Sequence, residues 1–121
     1  MKAYFIFIIV ALSMSGCYYD NAALLYPGSE NCSPVANPSF SADILPILNA
    51  KCNNCHSGTS PSVGIRLDSY TEVVKYVNDK SLVGSINHAS GYSAMPKGGF
   101  KMPTCEIQKI QDWIIDGTLN N

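Results

Sequence analysis

No basic stripe runs along this sequence. Lys and Arg total 8 against 9 Asp and Glu, which removes the electrostatic footprint of a nucleic-acid binder. No run of alternating polar and apolar residues marks paired strands, and no internal repeat appears, so the expected class is all-α, small and rich in loops. No apolar run reaches the roughly 20 residues that a membrane-spanning helix needs. At 121 residues there is room for one small domain. Such a domain buries a modest core, and a cofactor, a metal or a disulfide would add to its stability.

The longest apolar run, YFIFIIVAL at Tyr4–Leu12, follows Lys2 and precedes the small residues SMSGC that end at Cys17. Charge, apolar stretch and small residues in that order form a secretory signal, expected over residues 1–16. L-S-M-S-G-C resembles the lipobox of bacterial lipoproteins, with Ser15 and Gly16 in place. The resemblance implies that Cys17 becomes the first residue and carries lipid, which holds a protein at a membrane surface without spanning it. The expected location is the cell envelope, on the periplasmic side or at the outer-membrane surface. Lys2 leaves with the leader, so 8 basic residues become 7 against 9 acidic, a formal charge of −2. Residues 17–38 are dense in Pro, Gly, Ser and Asn and hold no period. They read as a tether with an average reach of about 25 Å, leaving 39–121 as the domain.

Within the domain, SFSADILPILNAK has Ser41 as an N-cap, Asp43 in the first turn and apolar residues at Ile44, Leu45, Ile47 and Leu48, which predicts a short helix. Pro46 falls early, where a missing N–H costs least. SPSVGIRLD reads as loop. Ser69 and Glu72 form a capping box, followed by a stripe of Tyr70, Val73, Val74 and Val77 at helical spacing. A shorter helical piece is expected over Ser81–Asn87. Residues 88–103 carry Gly91, Gly98, Gly99, Pro96 and Pro103 and read as irregular. The last helix is capped by Thr104, shows Ile107, Ile110 and Ile114 on one face, and ends with Gly117 at the C′ position.

The five cysteines make an odd count in an exported chain, which asks for an explanation. With Cys17 assigned to lipid and Cys52 and Cys55 to a shared motif, Cys32 and Cys105 remain, one on each side of it, in an oxidising compartment. A bridge between them would close a loop of about 70 residues, worth about 3–4 kcal/mol on the chain-entropy model. The alternative is that each is a small buried hydrophobe.

The shared motif is CNNCHSG, residues 52–58. A structural zinc site wants four ligands, usually as two close pairs; CNNC is one pair, Cys32 and Cys105 are not another, and His56 and His88 lack the spacing of a histidine pair. A thioredoxin-like dithiol follows a strand, whereas a helix is expected here. C-x-x-C-H is the attachment signature of haem c. Cys52 and Cys55 suit addition across the two vinyl groups, His56 would rise beneath the iron, and Asn53 and Asn54 act as spacers. A second axial ligand has to come from a distant segment. Met1 and Met14 leave with the leader, so Met95 and Met102 remain. Met95 is preferred, because Pro96 holds its backbone extended and the following glycines let the loop pass close to a flat ring. Met102, beside Phe100 and just before the last helix, is an alternative that also reads as core. His88 is a third candidate and would lower the reduction potential relative to methionine.

CNNCHSG, LDSY, NHASGYSAMPKGG and CEIQKIQDWIIDG, in that order, resemble a bacterial monohaem cytochrome c domain of the class I type, over about residues 40 to 120. The resemblance implies a small cytochrome c-like fold with three to five short helices and long loops around one covalent haem. It implies that the first and last helices cross beside the haem with an aromatic at the crossing, the place of Trp113. Lipid-anchored members of the family carry the domain on a tether like this one. An iron with both axial positions filled exchanges electrons only. Sulfur ligation favours the ferrous state, and the apolar side chains of Leu45, Leu48, Leu67, Ile86 and Ile110 would exclude water and push the same way. The expected function is therefore electron transfer between redox partner proteins, without catalysis and without nucleic acid. Lys51, Lys97 and Lys101 would steer an acidic partner or be ordinary solvated charges. A peroxidase-like enzyme and a small-ligand sensor, both with a labile sixth position, are the alternatives. The single C-x-x-C-H counts against the first, and the lack of a partner domain on the chain against the second.

Overall fold

The structure, a computed structural model, describes residues 32–121. The leader at 1–16, the lipid-attachment residue Cys17 and the tether as far as residue 31 lie outside the described residues. Helix formation begins at Ser39, two residues before the serine that the pattern suggests. Ser39 Oγ accepts from the Ala42 N–H at 3.3 Å, and the Ser39 N–H donates back to Asp43 Oδ2 at 2.9 Å, a reciprocal cap. The first turn, Phe40–Ile44, is π-helical. It is one residue wider than an α-turn, so the acid that reaches back sits one place later than in the usual box. Helix α1, Leu45–Lys51, continues from it with Pro46 in its first turn.

Ser41 has a different role. Its N–H and its hydroxyl both donate to the Asn121 oxygen, at 3.0 and 2.8 Å, joined by the Ser39 hydroxyl at 2.8 Å. The Phe40 N–H donates to Asn121 Oδ1 at 3.0 Å. An oxygen at a helix N-terminus meets the positive end of the dipole, so the last residue is fastened to the first turn.

Helix α2, Tyr70–Asn78, starts after the extended Ser69, but the capping box does not form: the Ser69 side chain makes no cap bond. Glu72 instead accepts from Lys75 Nζ at 2.7 Å, three residues on. Helix α3 is Ser81–Ile86 and helix α4 is Thr104–Ile115. Thr104 is the first helical residue, not the cap. That place belongs to Pro103, whose carbonyl receives the Glu106 and Ile107 N–H groups. At the other end of α4, Gly117 (φ +99°) donates to the Ile114 carbonyl at 3.2 Å and Thr118 to that of Trp113 at 2.9 Å. This is a Schellman motif with glycine at C′. Four α-helices and no strand occur among the described residues, and the fold is all-α. None of these helices is long and apolar enough to cross a membrane.

The core gathers Ile44 and Leu48 from the first helical segment, Val73 from α2, Leu82 and Ile86 from α3, Ile107, Ile110 and Trp113 from α4, and Leu67 and Met102 from loops. On α4, Trp113 is fully buried and Ile114 only partly so, so the tryptophan takes the inward position. Its ring centroid lies 5.5 Å from Phe40 and 6.4 Å from Tyr70, and those two meet edge-on at 5.3 Å. Trp113 Nε1 donates to the Leu119 carbonyl at 2.9 Å and the Tyr70 hydroxyl to that of Thr118 at 2.8 Å. These bonds satisfy the polar ends of a buried and a half-buried aromatic. Ion pairs Lys109–Asp43 (3.5 Å) and Lys51–Glu106 (3.6 Å) link α4 to the first helical segment.

Cys32 and Cys105 form a disulfide across 73 positions, with Cα atoms 5.1 Å apart. Pro38 is buried, and the Asn37 N–H donates to Asp116 Oδ2 at 3.1 Å. The far end of the stretch read as tether, residues 32–38, is thus fastened to the domain.

Candidate functional site

The C-terminal turn of α1 delivers the motif. The N–H groups of Cys52 and Asn53 both donate to the Leu48 carbonyl, at 2.8 and 2.9 Å. The Cys52 carbonyl then receives both the Cys55 and the His56 N–H, each at 3.0 Å. This tight turn carries two thiols and an imidazole within five residues of sequence. Cys52 and Cys55 are free thiols, the first half-buried and the second exposed. Burial, and after it the negative charge of Glu106, push the Cys52 thiol up to about 11. Glu106 Oε1 pairs with Lys51, while its Oε2 is buried without a hydrogen-bond partner. Asn53 uses its amide nitrogen on Asn49 at 2.7 Å and leaves its own Oδ1 buried and unpaired, so it is more than a spacer.

The loop after the motif folds back and holds the histidine. Ser62 N–H donates to the Cys55 carbonyl at 2.8 Å, and Leu67 N–H to that of His56 at 2.7 Å. Gly58 N–H donates to Asp68 Oδ2 at 2.9 Å, and Arg66 bonds the same carboxylate at 3.1 Å through two nitrogens. The Gly58 N–H first, and then Arg66, hold the Asp68 carboxyl below its usual range. This folding carries the Ile65 carbonyl to 3.2 Å from His56 Nδ1. A carbonyl only accepts, so Nδ1 carries a proton; in the neutral imidazole this leaves the lone pair on Nε2, the tautomer that binds a metal through that nitrogen. His56 itself is buried.

Met95 comes from another element. It lies half-buried in the irregular segment after α3, and both of its backbone groups are bonded to that helix's C-terminal turn. Its N–H donates to the Ser85 carbonyl at 3.1 Å, and its carbonyl accepts from His88 Nε2 at 3.0 Å. The two alternative ligands have other roles here. Met102 is buried in the apolar core, and His88 engages Nε2 on the loop backbone. Lys51 is paired with Glu106, whereas Lys97 and Lys101 are exposed.

The chemistry of the donor set suits a covalently held haem: Cys52 and Cys55 are not oxidised to each other, His56 Nδ1 is bonded to the Ile65 carbonyl, and Met95 lies on a segment whose backbone is bonded to the end of α3. Among the described residues no three His, Cys, Asp or Glu side chains converge as a metal-binding group. Ile65, Ser85 and Gly84 contribute to the site and were not foreseen. The first two act through main-chain carbonyls, which leave no trace in a sequence. Gly84 had one available signal, a glycine in the middle of a short helix. No protein-family model, no curated protein and no solved structure matches this chain.

Proposed function

We propose that this chain is an exported, lipid-anchored monohaem c-type cytochrome that carries single electrons between redox partner proteins. Cys52 and Cys55, with His56 and Met95, would hold a haem, which would supply one-electron redox chemistry. The observation that carries the reading is the bond from His56 Nδ1 to the Ile65 carbonyl, directly after two free thiols. It fixes the tautomer and the ring orientation that a metal-bound histidine requires. A structural histidine of the core would have no need of two cysteines at this spacing.

The chain's own residues do the remaining work. The Ile65 carbonyl keeps the proton on Nδ1. The bonds of Met95 to Ser85 and His88 fix where the thioether starts from. Leu48, Leu67, Ile86 and Ile110 belong to the buried apolar core and would keep water away from the group and favour its lower-charge state. Lys97 and Lys101 supply positive charge for an acidic partner, and Lys51, neutralised by Glu106, supplies less. Cys17 would hold the domain at the periplasmic side of a membrane through lipid.

The test is the absorption spectrum of protein matured in a host able to attach haem, taken oxidised and reduced. The expected result is a low-spin c-type spectrum with a far-red sulfur-to-iron band that disappears in M95A. A high-spin spectrum with ready cyanide binding would favour the peroxidase-like or sensor reading. A colourless preparation would end the haem reading.

A further inference from the structure

The helices α3 and α4 end in the same way, and one detail sets them apart. After α4, Gly117 takes the left-handed C′ position of a Schellman motif, as glycine usually does. After α3 the same pair of bonds recurs: His88 N–H donates to the Ser85 carbonyl at 3.2 Å and Ala89 N–H to that of Gly84 at 2.9 Å. The C′ residue there is His88, at φ +55°. Histidine is one of the few residues besides glycine that enter this conformation with some frequency, so the cap admits it without requiring it. What the ring adds is the bond from Nε2 to the Met95 carbonyl at 3.0 Å. Since the carbonyl only accepts, Nε2 carries the proton. The Ser85 carbonyl takes the Met95 N–H as well as that of His88, so one turn of α3 grips both backbone groups of Met95. A further hold lies beside it, where Tyr92 packs so closely on Gly84 that a Cβ there would fall 2.4 Å from the ring.

We propose that His88 is the positioning residue for Met95, presetting the loop from which the thioether reaches the iron. This rests on the reading of His56 and Met95 as axial ligands. His88 does not touch the iron. It acts by holding the Met95 carbonyl, a bond that the glycine in the same C′ place after α4 has no side chain to make.

Three variants of the full-length, haem-loaded protein separate the backbone from the bond. H88G relieves the left-handed strain and removes the donor. H88N tolerates the same backbone but is too short to reach the carbonyl. H88Q restores an N–H donor on a longer side chain. The expected result in H88G and H88N is a weakened far-red sulfur-to-iron band and carbon monoxide binding to the reduced protein about fivefold faster, the equilibrium equivalent of one net hydrogen bond. H88Q recovers part of both, and the thermal midpoint of H88G does not fall. The band and binding rate of the parent in H88G would overturn the assignment while leaving the cytochrome reading intact. A second readout does not require the haem. Hydrogen exchange at the Met95 amide is expected to quicken about fivefold in H88G and H88N, and unchanged exchange would overturn the assignment on a colourless chain as well. Failure of the cytochrome reading itself would show separately, as a chain whose mass carries no haem.

Discussion

The two segments that would face each other across the haem are held by different means. The His56 segment is tied to its surroundings by several separate bonds, although His56 alone in it is buried. It leaves α1 directly and is bonded to the returning 57–68 loop at three carbonyls, those of Cys55, His56 and, through the ring, Ile65. The helical segment before it is linked to α4 by two ion pairs, one from α1 and one from the π-helical turn, and that turn meets α4 in the Phe40, Tyr70 and Trp113 cluster. The Met95 segment hangs on α3, a helix of six residues, through two hydrogen bonds and one close ring contact. Beyond it the chain is largely exposed as far as Met102, with Phe100 at 91 % exposure. Local opening follows contact density. The histidine side should therefore yield only with the whole fold, and the methionine side by itself.

That contrast can be broken from its stronger side first. Trp113→Ala removes the centre of the aromatic cluster and leaves the Leu119 carbonyl without its donor, and a buried Trp→Ala change costs about 3–5 kcal/mol. Chemical denaturation should show the loss as a global shift in midpoint, with the histidine and methionine sides unfolding together. Opening the Cys32–Cys105 bridge, as the double change to serine, should lower global stability by about 3–4 kcal/mol. Calorimetry would record the fall, and an unchanged midpoint would mean that residues 32–38 are not fastened to α4 in solution.

A smaller effect lies in the thiols before haem is attached. The Cys52 pKa is raised from 9.0 to about 11, so its proton is held more tightly folded than unfolded. Its thiolate fraction at pH 8 should be about 100-fold lower than in the unfolded chain. Iodoacetamide labelling, followed by peptide mass, should find Cys52 protected at pH 8 and increasingly reactive as pH rises towards 11. The associated stability is fully present below pH 9 and is lost as pH climbs through 11. Equal labelling in folded and unfolded chain would contradict the burial of this thiol.

The weaker side of the comparison is sharpened by Gly84→Ala. The added Cβ would press on the Tyr92 ring, an overpacking worth about 1–3 kcal/mol. Its effect should appear mainly at Met95, as a diminished far-red band in the oxidised protein, with a smaller change in global midpoint than Trp113→Ala produces. A full-sized band in G84A would show that the loop does not depend on its seat on α3.

Much of the helical framework could be read from periodicity, because burial of an apolar stripe is a property of spacing. The stripes at Ile44–Leu48, Tyr70–Val77 and Ile107–Ile114 all lie on helices, and Gly117 stands where a left-handed residue was expected. Helix beginnings were less legible. Ser41, Ser69 and Thr104 all look like caps, yet the role of a hydroxyl depends on what competes for it. The Asn121 oxygen takes the Ser41 hydroxyl, Glu72 turns to Lys75 instead of closing a box with Ser69, and Pro103 occupies the cap position before Thr104. At the site, the types and spacing of Cys52, Cys55 and His56 were visible. What orients them was not: the Ile65 and Ser85 carbonyls are main-chain groups, and His88 presents itself in a sequence as a candidate ligand, not as a hydrogen-bond donor to the Met95 loop.

The most direct test of the central claim is mass analysis of the matured protein after unfolding in acid and guanidinium. A chain built this way keeps its colour when denatured, and the added mass of one haem stays on the proteolytic peptide that contains residues 52–56. Colour that separates from the unfolded chain, or a peptide in which Cys52 and Cys55 are both recovered as unmodified thiols, would contradict it.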